Sequence, residues 1–364
     1  MSRKSVRALR THKPRKSSFG GVIRNTLITS GLLAGVGAWA IAPRTLIDAR
    51  RNHVPQVPHG FYAHRGLHDV GSGLSVGTVA ERCAYVDYAR ECAIRAGYGS
   101  EDFAGPVAPE NSLAAFAAAC EAGYGIELDI QLTRDGQVVV VHDADLKRVA
   151  GDPRRIKDLT YDELTHIPLF PAPARSGDAK AELPAGYEFD KTPDDYYQHV
   201  PLFSDVLKVV AGRVPLIVEY KFDNYSWSDA DDELMEKGDE LLQSYGGPYV
   251  IESFHPGAVR WYKEHRPEVN RGQLAEAVDF SWTKLNWREW ICGMLGFNWM
   301  GRPDFVAYDW HGGESAQVRF VRKMGATAVS WTVRSGAELE RCDAFFDRHI
   351  FEAFIPDAIE KAGE

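Results

Sequence analysis

The sequence predicts a parallel α/β fold, a TIM (β/α)8 barrel with insertions, preceded by one N-terminal transmembrane or signal helix. Three observations carry this expectation. From about residue 60 short apolar runs alternate with amphipathic ones, the pattern of strands joined by crossover helices. The apolar runs number eight, the strand count of such a barrel, and the remaining length suits one. No GxGxxG or Walker A run appears, which weighs against a doubly wound open sheet, the competing architecture.

The expected strands are "FYAH" (61–64), "GIELDIQL" (125–132), "VVVVH" (138–142), "PLIVEYK" (215–221), "YVIESF" (249–254), "NRGQLAE" (270–276), "PDFVAYDW" (303–310) and "TAVSWTV" (327–333). Helical stretches fall between most of them: "NSLAAFAAACEAG", "FSDVLKVVAG", "DADDELMEKGDELLQSYG", "PGAVRWYKEHR", "SAQVRFVRKMG" and "GAELERCDAFF". Three segments interrupt the alternation. Residues 67–108 form a long insertion after the first strand. Residues 171–200 are rich in Pro, Gly and acids and read as a loop or lid. Residues 280–302 are unusually aromatic.

Charge divides the chain. Residues 1–51 hold 11 Lys/Arg and one acid, whereas the remaining 313 hold 31 basic and 50 acidic residues. An acidic body argues against nucleic acid as a partner, because phosphate contacts need clustered Lys and Arg. The five cysteines form no CxxC pair or Cys/His cluster, so zinc and redox-motif readings are weak and no disulfide framework is expected. The basic tail 1–25 precedes 18 uncharged residues, "TLITSGLLAGVGAWAIAP" (26–43). As a helix these span roughly 27 Å, close to the hydrocarbon thickness of a bilayer. The expectation is a cytoplasmic tail (1–25), a signal-anchor helix (26–43), a linker (44–59) and an extracytoplasmic barrel (60–358). Cleavage after Ala40, within an Ala-Trp-Ala site, is the alternative and would release the domain.

The chemistry gathers on the strands. Glu127 and Asp129, two apart, point to one face of their strand, and burying two unpaired carboxylates costs several kcal/mol. Glu219 and Lys221 repeat the spacing on a second strand, His64 and Arg65 end the first, and His142 ends "VVVVH". In a parallel barrel these strand ends meet at the C-terminal rim. Three carboxylates from two strands suit one hard divalent cation, Ca²⁺ or Mg²⁺, bound through oxygen. Beside it, two histidines make a general base and a general acid, with Arg65 and Lys221 countering charge on phosphate oxygens. Metal-assisted phosphodiester cleavage uses every member. The plainer alternatives are a structural Glu219–Lys221 pair and histidines that are merely hydrogen-bonded. Likewise "APENS" (108–112) starts a helix with Asn111 or Ser112 as cap, or presents Glu110 to hold Arg65.

At these residues the sequence resembles the glycerophosphodiester phosphodiesterase family: "AHRG" (63–66), "PENS" (109–112), "ELD" (127–129), "TRDGQVVVVHD" (133–143) and "VEYK" (218–221) stand in the family's order. "ESFHP" (252–256), "RGQL" (271–274) and "SWTV" (330–333) also fit, so the resemblance spans about 60–356. It implies a TIM barrel with a small insertion near the rim. It also implies a divalent metal on Glu127, Asp129 and Glu219, with His64 and His142 as the acid/base pair. The implied reaction cleaves glycerophosphodiesters to glycerol 3-phosphate and an alcohol. A substrate hydroxyl attacks first to give a cyclic phosphate that water opens. The sequence departs from the pattern in the length of 67–108 and in "FEAFIPD" (351–357), where the family carries a glycine-rich run.

Trp331 is expected to line the pocket against the glycerol moiety. Five of the nine tryptophans fall within 280–310, where they pack a helix on the barrel or rest it on a membrane. Three functions follow: hydrolysis of soluble glycerophosphodiesters; the same chemistry on lysophospholipids or a glycerol-phosphate polymer; or a non-catalytic surface binding module.

Overall fold

The computed structural model describes residues 34–44, 56–75, 78–103, 105–170, 197–223, 226–277 and 287–356. The chain divides into two compact units, residues 1–40 and 41–364, and the second contains the barrel. The strands are β1 (Phe61–His64), β2 (Gly125–Leu132), β3 (Val138–Val140), β4 (Asp145–Leu146), β5 (Asp152–Arg155), β6 (Leu216–Tyr220), β7 (Tyr249–Ser253), β8 (Arg271–Ala275), β9 (Phe305–Asp309), β10 (Thr327–Val333) and β11 (Arg348–Phe351). Eight of them close a parallel ring in the order β1-β11-β10-β9-β8-β7-β6-β2, with β2 returning to β1. The fold is therefore the expected TIM barrel.

The ring is not built from all the expected strands. Val138–Val140 lies outside it, paired antiparallel with the end of β2. The short turn through Gly136, whose φ is +71°, leaves no room for the crossover that a parallel neighbour needs. The run of valines instead serves two cores. Val138 and Val140 join the main core, whereas Val139 and Val141 join a small one with Leu146, Val149, Ile156 and Leu164. That small core belongs to an insertion at the rim, between β2 and β6.

The eighth barrel strand is β11, whose sequence RHIF opens on two polar residues and carries no apolar alternation. Tertiary partners explain both. Arg348 Nε donates to the Val57 and Pro58 carbonyls, and the His349 ring stacks on Phe61 and bonds Ser330 Oγ at 2.8 Å. Trp331, placed on the last strand by the sequence reading, therefore lies on the penultimate one.

Inside the ring, Tyr62, Ile217, Val250, Leu274, Phe305, Ala307, Val329 and Ile350 form a layered core, closed at the N-terminal end by Val57. Around the ring a larger core binds strands to helices. The insertion 67–108 contains helix Val79–Arg95, started by a Thr78/Glu81 capping box, which buries Tyr85, Ala89, Cys92 and Ala93. It packs beside helix Leu113–Ala122, where Ser112 is the N-cap.

Residues 171–196 of the expected loop or lid lie outside the described residues, as do 280–286 of the aromatic segment. The rest of the aromatic segment holds helices Trp287–Gly293 and Asn298–Gly301. Of the expected anchor, residues 34–41 are helical and 26–33 lie outside the described residues, with the tail 1–25 and most of the linker. Among the described residues no helix is long and apolar enough to cross a membrane.

Candidate active site at the barrel mouth

Glu127 and Asp129 on β2 and Glu219 on β6 point into the barrel, with Asp129 and Glu219 in register across the strand pair. One oxygen from each of the three carboxylates lies within 4.8 Å of the others, and all three residues are buried. Their neighbours are cationic. Lys221 Nζ sits 2.7 Å from Glu219 and 3.2 Å from Asp129, and Arg65 Nε is 3.4 Å from Asp129. The Arg65 backbone N–H donates to Glu127 at 3.1 Å, and Asn111 Nδ2 donates to Asp129 at 2.9 Å. Arg65 and Asn111 both adopt left-handed backbone conformations, φ 58° and 56°, a region asparagine tolerates and arginine seldom enters.

Charge is unevenly compensated. Burial pushes Asp129 upward, but Lys221, His142, Arg65 and the Asn111 bond outweigh it and hold its carboxyl well below the usual range. Burial, then Asp129 and Glu219, push Glu127 well above that range. Burial likewise raises Glu219 to about 7 despite Lys221. Asp129 is held in its charged form, whereas burial works against ionisation of the other two. Clustered hard oxygen donors lacking a counter-charge fit a divalent cation.

The histidines flank this cluster. His64 Nδ1 lies 2.7 Å from Glu352 and its Nε2 3.9 Å from Glu127. Burial lowers its pKa to about 4, although Glu352 opposes the shift. His142 lies two residues beyond β3 rather than on a barrel strand, and its Nδ1 is 2.6 Å from Asp143. Burial lowers its pKa as well, against Asp129. Arg65 pairs with Glu110 at 2.8 Å, the contact the sequence suggested. His64, Arg65, Glu127, His142, Glu219 and Lys221 line a cavity of about 120 Å³, whose apolar side is Phe254, Leu274, Ile350 and Trp331. Trp331 packs edge-on against Phe254, and its Nε1 has no hydrogen-bond partner among the described residues.

The sequence reading missed several members. Glu352, fully buried at the end of β11, holds His64 and accepts from Arg334 Nε at 2.6 Å and from Ser72 Oγ at 3.3 Å. Arg148, on the rim insertion, donates to both Glu110 oxygens and to Asp143 at 2.7 Å. It thereby ties the partner of His142 to the partner of Arg65. Glu252 lies in register with Glu219 and lines the cavity. Only Asp143 carried a local signal, its adjacency to His142. The other contacts join residues far apart in the chain.

An eight-stranded barrel with a buried carboxylate cluster and two flanking histidines at its C-terminal mouth belongs to the class of parallel barrels that gather their titratable groups at the strand ends, where such barrels place their functional sites. Comparison with known proteins makes this particular. Residues 100–360 match the Glycerophosphoryl diester phosphodiesterase family, and the chain belongs to that family. The match starts within the long insertion, so β1 with His64 and Arg65 precedes it and joins the site through the closure of the ring.

Among curated relatives, a glycerophosphodiester phosphodiesterase of Bacillus altitudinis is 29% identical over 47% of this chain and 62% of its own length. Glycerophosphodiester phosphodiesterase 1 of Bos taurus is 24% identical over 69% of this chain and 75% of its own. The chain thus spans about three-fifths of the first of these relatives. Among solved structures, an Oleispira antarctica phosphodiesterase in complex with the product sn-glycerol-3-phosphate superposes with a TM-score of 0.53 at 20% identity, covering 85% of this chain and 97% of that one. A glycerophosphoryl diester phosphodiesterase structure from Silicibacter pomeroyi gives 0.56 at 17% identity, covering 85% and 94%. These structures share the fold.

Proposed function

We propose that this protein is a metal-dependent phosphodiesterase that hydrolyses glycerophosphodiesters to glycerol 3-phosphate and an alcohol, held at the membrane by residues 26–43 with its barrel outside the cytoplasm. The observation that carries the catalytic reading is the carboxylate cluster between two histidines whose Nδ1 atoms are each held by a further carboxylate. The basic tail followed by 18 uncharged residues supports the anchor.

Glu127, Asp129 and Glu219 would hold one Ca²⁺ or Mg²⁺. The bound cation supplies charge to offset that developing on the phosphate oxygens. Arg65 and Lys221 add to that field from either side of Asp129. Glu110 fixes the Arg65 guanidinium. With Nδ1–H committed to Glu352, His64 presents Nε2 as an acceptor, and burial keeps it unprotonated near neutrality. It takes the proton of the substrate's attacking glycerol hydroxyl, which forms the new P–O bond. His142 gives a proton to the departing alcohol oxygen as the old P–O bond breaks. In the second half His142 takes a proton from water, which opens the cyclic phosphate, and His64 returns a proton to the ring oxygen. Trp331 and Phe254 pack against the glycerol carbons.

The test is release of glycerol 3-phosphate from soluble glycerophosphodiesters with Mg²⁺ or Ca²⁺, and again with excess chelator. Release only with metal supports the reading. Release indifferent to chelator would overturn the carboxylate assignment, and none at all from folded, metal-bound protein would overturn the substrate class.

A further inference from the structure

The last residues of the apolar segment are bound to the barrel. The Ile41 carbonyl accepts from Asn298 Nδ2 at 3.0 Å, and the Ala42 carbonyl from Arg302 at 2.8 Å. The Arg44 backbone N–H donates to the Pro303 carbonyl at 3.0 Å, and its guanidinium pairs with Asp304 at 3.3 Å in a buried bridge. Ala42 and Arg44 are buried. Every one of these partners precedes β9, so the contacts lie at the N-terminal end of the barrel. Gln56 to Pro58 run beneath that same end, where Val57 closes the inner core and Arg348, at the start of β11, binds the Val57 and Pro58 carbonyls.

The catalytic groups lie at the other end, beyond a strand of five residues, roughly 16 Å away along the barrel. Residues 41–43, the last of the uncharged run 26–43, are themselves bound at the base of the barrel, so the chain enters the barrel from this end. Beside the pinned residues the surface is apolar and aromatic: Trp299, Trp290 and Met294 are exposed on the segment that also supplies Asn298 and Arg302. Lys263, half-buried beside them, donates to the Met300 carbonyl. Tryptophan beside a lysine suits the headgroup layer of an anionic bilayer.

From this we infer that the N-terminal end of the barrel, around Ile41–Arg44 and helix Asn298–Gly301, rests on the bilayer, so that the active-site mouth opens away from it and draws its diester from the aqueous side. The inference rests on the anchor reading above. It selects water-borne glycerophosphodiesters over lysophospholipids embedded in the protein's own membrane.

The experiment places photo-crosslinking benzoylphenylalanine at Trp299 or at His311 in the full chain, in vesicles of phosphatidylglycerol and phosphatidylcholine. His311 is exposed just after β9, at the mouth end. Trp290 is the alternative site if replacement at 299 impairs folding. The expected result is at least tenfold more lipid adduct at 299 than at 311. The same vesicles should hydrolyse embedded lysophospholipid at under a tenth of the rate on the corresponding soluble diester. Equal adducts at both sites, more at 311, none at either in vesicle-bound protein, or preference for the embedded lipid would overturn the orientation. A chain that alkaline carbonate washes from the vesicles overturns the anchor reading instead, and the orientation with it.

Discussion

In the proposed mechanism Glu352 is the residue on which the histidine chemistry turns. A buried carboxylate at 2.7 Å from Nδ1 selects one tautomer of His64 and aims its Nε2 at the cavity. Glu352→Gln keeps the shape and removes the charge. It should lower kcat roughly 10- to 100-fold, the usual effect of losing such an orienting partner, with little change in KM. Because Glu352 raises the His64 pKa against burial, the same variant should move the acid limb of the kcat/KM profile to lower pH. An unchanged limb would remove Glu352 from this role. His64→Ala should cost roughly 10²- to 10⁴-fold in turnover, the usual worth of a general base, with the unfolding midpoint retained. For stability the sign follows from the shift. His64 titrates at about 4 in the fold and near its ordinary 6.5 when unfolded. The unfolded chain therefore binds more protons between those values, and urea unfolding should show stability falling as pH drops through that window.

Among the elements, the strands of the ring are held apart by what fills them. Gly272 on β8 faces the Phe305 ring so closely that a Cβ there would sit 2.2 Å from it. Gly272→Ala should therefore overpack the barrel and destabilise it by about 1–3 kcal/mol, read as a lower urea midpoint at unchanged slope. The reach of the β2–β3 hairpin is a second matter at this scale. Two valines face one core and two another, so a run that reads as one buried barrel strand is instead a two-faced hairpin arm. Helix Leu113–Ala122, by contrast, begins where "PENS" says it should, because Ser112 accepts from the Ala115 N–H.

At the level of the whole molecule, closing the ring gathers more negative charge than the protein alone neutralises. Burial and the neighbouring carboxylates raise Glu127 well above the usual carboxylate range, and burial raises Glu219 to about 7, so both favour the protonated form more than an exposed glutamate does. Binding Mg²⁺ or Ca²⁺ should release bound protons, so metal affinity should rise as pH rises toward and through about 7. Calorimetry in two buffers of different ionisation enthalpy measures this directly, and binding without proton release would refute the ligand set. If the proposed cation binds the folded form alone, metal at about 100 times its Kd should stabilise the barrel by about 2.7 kcal/mol. A thermal scan with and without chelator reads that shift.

What the sequence determined by itself was local. The period-two spacing of Glu127 with Asp129 and of Glu219 with Lys221 put each pair on one face, and strand–helix alternation then left a parallel barrel as the arrangement that brings those faces together. Only the tertiary structure decided that Arg348–Phe351 is the eighth strand and that Glu352 holds His64. It also decided that Arg148 joins Glu110 to Asp143 and that residues 41–44 enter at the end opposite the site. The physical reason is range. Strand periodicity and capping act over a few residues. The closure of a ring pairs its first strand with its last, and no spacing along the chain records which side chains that closure will bring within hydrogen-bond distance.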